Sequence, residues 1–247
     1  MIDAHCHLHE YSDEEILEIE RLGLTIIAVS DDIPSSIRTL ELSQRFKWVI
    51  PAIGIHPWEI SAETVNDIEK LEELVENHRN VVRILGEVGL DKRFRKETYS
   101  YQLEAFRRIV DLAQKYDLAL NLHCVDAWRE VLEIVHRAGI RIAIFHWYTG
   151  PVELLNEIRD YGYFISINPA ISMQEKHRKI VECAPLEVLL VESDAPYKYR
   201  GMELHPRMIF DTLRIIADIK KLSLEQIVEV IEENAQRLLK ELGLSLR

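Results

Sequence analysis

The first ten residues, MIDAHCHLHE, carry histidines at positions 5, 7 and 9. Alternation along an extended strand puts His5 and His7 on one face. Two imidazoles aimed the same way in a buried place are poorly suited to being protonated together, but both can ligate a cation. Further along, imidazoles and carboxylates close short apolar runs: His56 after "AIGI", Glu87 after "RILG", His123 after "LALNL", His146 after "IAIF" and Asp194 after "VLLVES". Each has a plainer reading when taken alone. A histidine can be a core residue bonded to backbone, Glu87 can pair with an arginine, and Asp194 can cap the next turn. Their recurrence at equivalent points of one pattern is what a metal site built from distant strands requires. No thiolate is placed to complete a tetrahedral cage, so the donors suit Zn²⁺, Mn²⁺ or Mg²⁺ rather than a structural zinc. Five or six ligands exceed the needs of one catalytic ion. Two ions sharing a bridging carboxylate would use them all, activating water and clamping the attacking and leaving oxygens of phosphoryl transfer. Asp3, one step deeper on the His5 face, is expected to accept an imidazole N–H. Cys6 and Cys124 point to the opposite face and read as small packing residues.

The elements that must position these residues alternate. Apolar, β-branched runs ("MIDAHCH", "LTIIAVS", "KWVIPAIGIH", "VVRILGE", "LALNLH", "IRIAIFH", "YFISIN", "EVLLVESD") are separated by amphipathic segments. Val65, Ile68, Leu71, Leu74 and Val75 share one helical face, and Leu103, Phe106, Ile109, Val110 and Ala113 share another. Ser12 with Glu15 forms a capping box, and Gly23 and Gly139 stand where helices stop. Eight strands, each followed by a helix, predict an α/β fold of the (β/α)8 TIM-type, one domain over residues 1–247, with its site at the C-terminal mouth of the strands. A doubly wound open sheet is the rival. It would lay the strands side by side and keep the first, middle and last ends apart, so the polar pattern favours closure. Among the remaining ends, Asp31 and Asp32 close strand two, where capping of the next helix by Asp32 or the neighbouring Ser35 is expected rather than ligation, and Asn168 closes strand seven.

Bulk composition narrows the class. The chain has 247 residues, 47% hydrophobic and 29% charged, as expected of a globular protein with a sizeable core. A formal net charge of −12 excludes an overall basic nucleic-acid footprint, though not a local basic rim. There is no cationic, apolar leader and no stretch of about 20 apolar residues, so neither export nor membrane insertion is expected. Three cysteines, two of them beside histidines, do not make a disulfide framework and fit a cytoplasmic protein.

The motifs "DAHCHL" (3–8), "GIHP" (54–57), "GEVGLD" (86–91), "LHCVDA" (122–127), "HWYTG" (146–150) and "ESDAPY" (192–197) together resemble the successive motifs of the TatD family of metal-dependent hydrolases, in the family's order across nearly the whole chain. The resemblance implies one metal held by His5, His7, Glu87 and Asp194, and a second held by Glu87, His123 and His146. It places His56 at the site mouth, against substrate phosphate or a water of the metal, and lets Asp194 accept the proton of the attacking water. It also implies deoxyribonuclease activity, with DNA as substrate and no obligate protein partner evident. The chain departs from the family in carrying His9 for an acidic residue and Val125 for a basic one. Lys92, Arg93, Arg95 and Lys96 after Glu87, and Lys198 and Arg200 after Asp194, are candidates to replace the missing basic group, or a solvated loop paired with glutamates. Trp147, Tyr148, Tyr197 and Tyr199 are candidates to stack on bases, or lid packing.

Three functions stay open at this level: a two-metal phosphodiesterase of the nuclease type, an amide or ester hydrolase using the same metals, and a metal-binding protein without activity. His78, His136 and His177 fall in or at the ends of helices and are set aside. His205 precedes a proline and belongs to the loop before a helix. Asn234 is expected to be structural.

Overall fold

The apolar runs form strands because they are too short for helices and rich in isoleucine, valine and leucine, which pack well on a pleated surface. The computed structural model describes residues 1–244. It contains β1 Ile2–Cys6, β2 Thr25–Ala28, β3 Val49–Ile53, β4 Ile84–Asp91, β5 Ala119–Val125, β6 Ala143–Phe145, β7 Phe164–Ile167 and β8 Leu189–Val191. Each strand pairs in parallel with its neighbours in chain order, from β1 to β8. The ring closes through backbone bonds between the ends of β1 and β8: Asp194 N–H donates to His5 O at 2.9 Å and His7 N–H to Ala195 O at 2.8 Å. The predicted barrel is therefore the fold, and the open-sheet rival is excluded.

Between the strands run α1 Asp13–Glu20, α2 Ile33–Arg45, α3 Asp67–Asn77, α4 Tyr99–Tyr116, α5 Trp128–Arg137, α6 Leu155–Asp160 and α7 Glu175–Cys183. The eighth connection is enlarged by a two-residue-per-strand hairpin, β9 Lys198–Tyr199 and β10 Met202–Glu203, before α8 Ile209–Lys220 and α9 Leu224–Glu241. The Ser12–Glu15 capping box starts α1, and Ser223 with Gln226 makes another on α9. Gly23 and Gly139 both take positive φ just past their helices.

Two apolar layers result. Outside the barrel, strands pack on helices. Inside, Ile2, Ala4, Ile27, Val29, Ile144 and Leu190 fill the lower half together with neighbouring apolar side chains. The same cluster includes Ala235, Leu238, Leu239 and Leu242, so α9 plugs the N-terminal end. Asn234 on α9 donates to the carbonyls of Leu186 (2.8 Å) and Leu189 (2.9 Å), the structural role expected of it. With the bottom filled and plugged, polar chemistry has room only at the opposite mouth.

His177, set aside from the sequence, is the one helical histidine that is fully buried, and neither of its ring nitrogens has a well-formed hydrogen bond. Burial pushes this imidazole down to about 3. It is neutral in the folded chain and titrates near 6.5 when unfolded. Its contribution is complete above about pH 6.5 and is lost as pH falls towards 3, at up to about 1.4 kcal/mol per pH unit. In urea titrations across pH 7 to 4, His177→Leu is expected to match or exceed wild type at pH 7 and to lose stability less steeply in acid. An acid limb parallel to wild type refutes this account.

Candidate metal centre

Two register shifts decide what the mouth contains. Ile2 and Ala4 face the lower core, so simple alternation would turn His5 and His7 outward. The β1–β2 pairing shifts between Asp3 and Cys6, and the β4–β5 pairing between Leu85 and Val88. Each irregularity re-aims the strand beyond it, as bulges do. His5 and His7 then face the axis with Cys6 buried on the outer side, and Glu87 faces it with Val88 outside. The glycines of "GEVG" allow the second shift. A Cβ on Gly86 would lie 2.6 Å from Asn121 Cβ, and one on Gly89 would lie 1.9 Å from His123 O. Only glycine lets β4 and β5 approach this closely.

The Glu87 carboxylate sits at the centre, 2% exposed, and its two oxygens serve two groups of donors. Oε2 lies 3.1 Å from His5 Nε2 and 3.3 Å from His7 Nε2. Those two nitrogens are 3.3 Å apart and stand 3.5 and 3.6 Å from Asp194 Oδ1. Four donors about 2.1 Å from a tetrahedral ion are separated by about 3.4 Å, so this group fits a divalent cation. Oε1 lies 2.6 Å from His123 Nδ1, 3.0 Å from His146 Nε2 and 3.2 Å from His56 Nε2. The six residues marked in the sequence as ligands thus converge in two groups that share Glu87.

The far nitrogen of each of four imidazoles faces an acceptor, within hydrogen-bonding geometry for His5 and His123 and as a looser approach for His7 and His146. His5 Nδ1 bonds Asn121 Oδ1 at 2.8 Å, and the Asn121 amide is itself fixed by donating to Ala4 O. His7 Nδ1 lies 3.1 Å from Asp31 Oδ1, His123 Nε2 lies 3.4 Å from Asp91 Oδ2, and His146 Nδ1 lies 3.6 Å from Glu192 Oε1. Such partners set the tautomer that leaves the inner nitrogen free to ligate. Asn121, Asp91 and Glu192 stand inside the apolar runs and motifs of the sequence, where nothing in their spacing assigns them this role. The available signal was a polar residue interrupting an apolar strand. Asp32 and Ser35 cap α2 as expected, and the neighbouring Asp31 carboxylate turns to the histidines. Asp3 is a correction. The β1 shift takes it off the imidazole face, and its Oδ1 accepts the N–H groups of Ser193 (2.9 Å) and His5 (3.2 Å), joining β1 to β8. Burial raises the Asp3 carboxyl to about 7.

His56 differs from the other histidines. Its Nδ1 accepts the Trp58 N–H at 3.1 Å, which places the single proton of the neutral ring on Nε2. Burial, with His123 adding to it against the pull of Glu87, holds this imidazole below its usual range and therefore neutral. His56 Nε2 is a donor beside the centre. Burial alone would raise the Glu87 carboxyl, but His146, His56 and His5, with the His123 hydrogen bond, outweigh it and hold it well below the carboxylate range. Burial likewise opposes a charge on His146, and Glu87 and Glu192 override it. Carboxylate and imidazole thus hold each other's charge in a place that burial would otherwise keep neutral.

The rim departs from expectation. Lys92 pairs with Glu130 at 2.6 Å and Arg93 with Asp126 at 2.6 Å, so their charges are largely spent locally. Lys198 pairs with Glu203 at 3.7 Å on the exposed hairpin. Arg95 lies over the Trp58 ring and makes no ion pair among the described residues, nor does Lys96. Arg200 lies over Tyr199. Tyr148 is fully buried, donates to Pro151 O and packs on Trp128, which removes it from the stacking candidates. Trp147 meets Tyr197 and Tyr199 edge-on at 5.8 and 5.2 Å, and Tyr197 is exposed. A cleft of about 580 Å³ is lined by Lys92, Asp126, Trp128, Arg129, Glu130 and Lys176 among others, and by none of the centre's donors.

A family described as "TatD related DNase" matches residues 2–240. An uncharacterized metal-dependent hydrolase from Methanocaldococcus jannaschii is 30% identical over 97% of this chain and 96% of its own. The human deoxyribonuclease TATDN3 is 26% identical over 96% of this chain and 94% of its own. Among solved structures, the Escherichia coli TatD homologue YjjV superposes with a TM-score of 0.85 at 23% identity, covering 96% of this chain and 97% of that one, which supports the fold.

Asp31→Asn, Asp91→Asn and Glu192→Gln are each expected to weaken divalent-metal retention about 10- to 100-fold in competition with a chelator. His123→Ala and His146→Ala should weaken it further, whereas His56→Ala should retain the metal. Metal loss from His56→Ala would reverse its assignment as a donor.

Proposed function

The chain belongs to the TatD family of metal-dependent hydrolases, and from that premise we propose that it hydrolyses phosphodiester bonds of DNA at a centre of two divalent cations. The observation that carries the reading is the shared carboxylate, with one Glu87 oxygen facing each donor group. His5, His7, Glu87 and Asp194 would hold one ion, and Glu87, His123 and His146 the other. Zn²⁺, Mn²⁺ and Mg²⁺ all suit nitrogen and carboxylate donors in some mixture. When bound, such a pair polarises the phosphoryl oxygens and makes water a nucleophile near neutral pH.

The chain's own residues supply the remaining work. Asp194, at the open end of the first group, accepts a proton from the attacking water. His56 donates its Nε2–H to a phosphate oxygen entering above Glu87, and its neutral, capped state keeps that donor in place without a competing positive charge. Asn121, Asp31, Asp91 and Glu192 keep the imidazoles from rotating. The filled lower barrel excludes water from below. Trp147, held by a 3.0 Å bond from its indole N–H to Gln174, presents with Tyr197 and Tyr199 an aromatic wall suited to a base at the strand terminus. Because Lys92 and Arg93 are already paired, Arg95 and Lys96 carry the attraction for the polyanion. Human TATDN3, named a deoxyribonuclease, supports the choice of substrate.

One observation favours a second reading. The spent charges of Lys92 and Arg93 leave a rim less basic than a polynucleotide groove, which suits a small ester or amide.

Metal-loaded protein is expected to release nucleotides from DNA, to stop when a chelator is added, and to lose at least about 100-fold in kcat on His56→Ala or Glu87→Gln. Neutralising Arg95 and Lys96 should raise KM for DNA and steepen no other parameter, while Lys92→Ala changes it little. Intact DNA under Mg²⁺, Mn²⁺ and Zn²⁺, together with turnover of a carboxylic ester or amide that ignores Arg95 and Lys96, selects the second reading.

A further inference from the structure

Outside the two donor groups, the rim holds a third convergence. Donor atoms of His7, His9, Glu10 and Asp31 lie within 4.8 Å of one another. From its geometry we propose that His9, Asp31 and Glu10 form an outer site for a third divalent cation.

The decisive group is His9. Its Nδ1 lies 3.1 Å from the Val29 carbonyl, which can only accept, so Nδ1 carries a proton and Nε2 is the nitrogen left to ligate. Nε2 faces Asp31 Oδ2 at 3.2 Å. A cation seated between the two would be held by both, in place of the proton that otherwise joins them. Donors 3.2 Å apart, each about 2.1 Å from an ion, subtend about 100° at it, an ordinary angle between neighbouring ligands. Asp31 reaches the site without leaving His7, because its other oxygen faces His7 Nδ1 at 3.1 Å. Glu10 is the last residue of the 3-10 turn Leu8–Glu10 and brings an exposed carboxylate as third donor.

Charge points the same way. Glu87, Asp91, Asp194, Glu192, Asp31 and Glu10 surround the mouth, and an inner pair of divalent ions carries four positive charges against these six carboxylates. No lysine or arginine pairs with Asp31 or Glu10 among the described residues. One imidazole nitrogen with two carboxylates suits Zn²⁺ or Mn²⁺ better than Mg²⁺. Side chains of His9 and Asp31 are 11% and 28% exposed, so the ion would keep positions open to solvent and bind more weakly than the inner ones. The count of three rests on the two-cation reading above, but the outer site does not.

The test is Mn²⁺ stoichiometry of the full chain, read from the free-ion electron paramagnetic resonance signal during titration of metal-free protein. Wild type is expected to take up three ions, the third more weakly. His9→Phe and Glu10→Gln should each lower the count by one and leave the affinities of the first two within about twofold. Glu87→Gln separates the two readings. One Mn²⁺ retained in that variant, and removed when His9→Phe is added, supports the outer site whatever the inner residues do. The proposal is overturned if Glu87→Gln, folded by circular dichroism, binds none, or if neither rim substitution lowers the wild-type count. A proton on His9 Nε2, pairing it with Asp31, is then the occupant.

Discussion

The structure turns on a carboxylate that must stay charged in a place with almost no water. Glu87 is 2% exposed, and an unpaired charge at that depth costs several kcal/mol. Everything around it is arranged to meet this constraint. Five imidazoles from β1, the β3 end, β5 and the β6 end point their nitrogens at its two oxygens, and the carboxylates of Asp31, Asp91 and Glu192 stand behind three of them. Carboxylates and imidazoles alternate outward in shells, so each group has a polar partner in the next. The barrel is the frame that allows this, because only a closed ring brings β1, β4, β5 and β8 to one axis.

The demand for close convergence explains the irregularities of the frame. A regular pleat gives each strand one inward residue in two, which is too few where two consecutive jobs, filling the lower core and ligating above it, fall on opposite parity. The shifts in β1 and β4 change parity between the layers, and Gly86 and Gly89 remove the side chains that would block the approach of β5. Asp3 repairs the ladder where β1 departs from it, taking the N–H of Ser193 with a side-chain oxygen. Asp194 and Trp147 hold positive φ, at 53° and 41°, directly beside the centre. Strain of this kind persists only where the surroundings over-determine the backbone. Glu192 does so for Trp147 by accepting its N–H at 2.8 Å.

The two halves of the site are not equivalent. The first group has a carboxylate at its open end, Asp194. The second has His56, whose proton is fixed on the inward nitrogen by a backbone N–H of its own chain. A base on one side and a donor on the other is the polarity that hydrolysis of a tetrahedral or trigonal centre needs. The rim adds little general attraction for anions, since its nearest lysine and arginine are paired. On the proposed nuclease reading, discrimination would fall to the aromatic wall and to the few unpaired basic residues.

Most of the fold was legible in the sequence because strands and helices advertise themselves by period, and because the mouth of a parallel barrel collects whatever closes each strand. His5, His7, His56, Glu87, His123, His146 and Asp194 could be marked this way, since histidine and acid at the end of an apolar run are costly without a partner. The role of each was not legible to the same degree. That Asp31 faces His7 while its neighbour Asp32 caps a helix depends on the rotation of two side chains at the start of α2. That Lys92 and Arg93 are spent depends on Glu130 and Asp126, which sit over 30 residues away and meet them only when β4 and β5 lie side by side. Tyr148 and Trp147 are neighbours in sequence, yet one is buried under α5 and the other faces the mouth. Periodicity records which residues share an element. Hydrogen-bond geometry, tautomer and charge pairing are properties of atoms brought together from different elements, and only the closed barrel decides them.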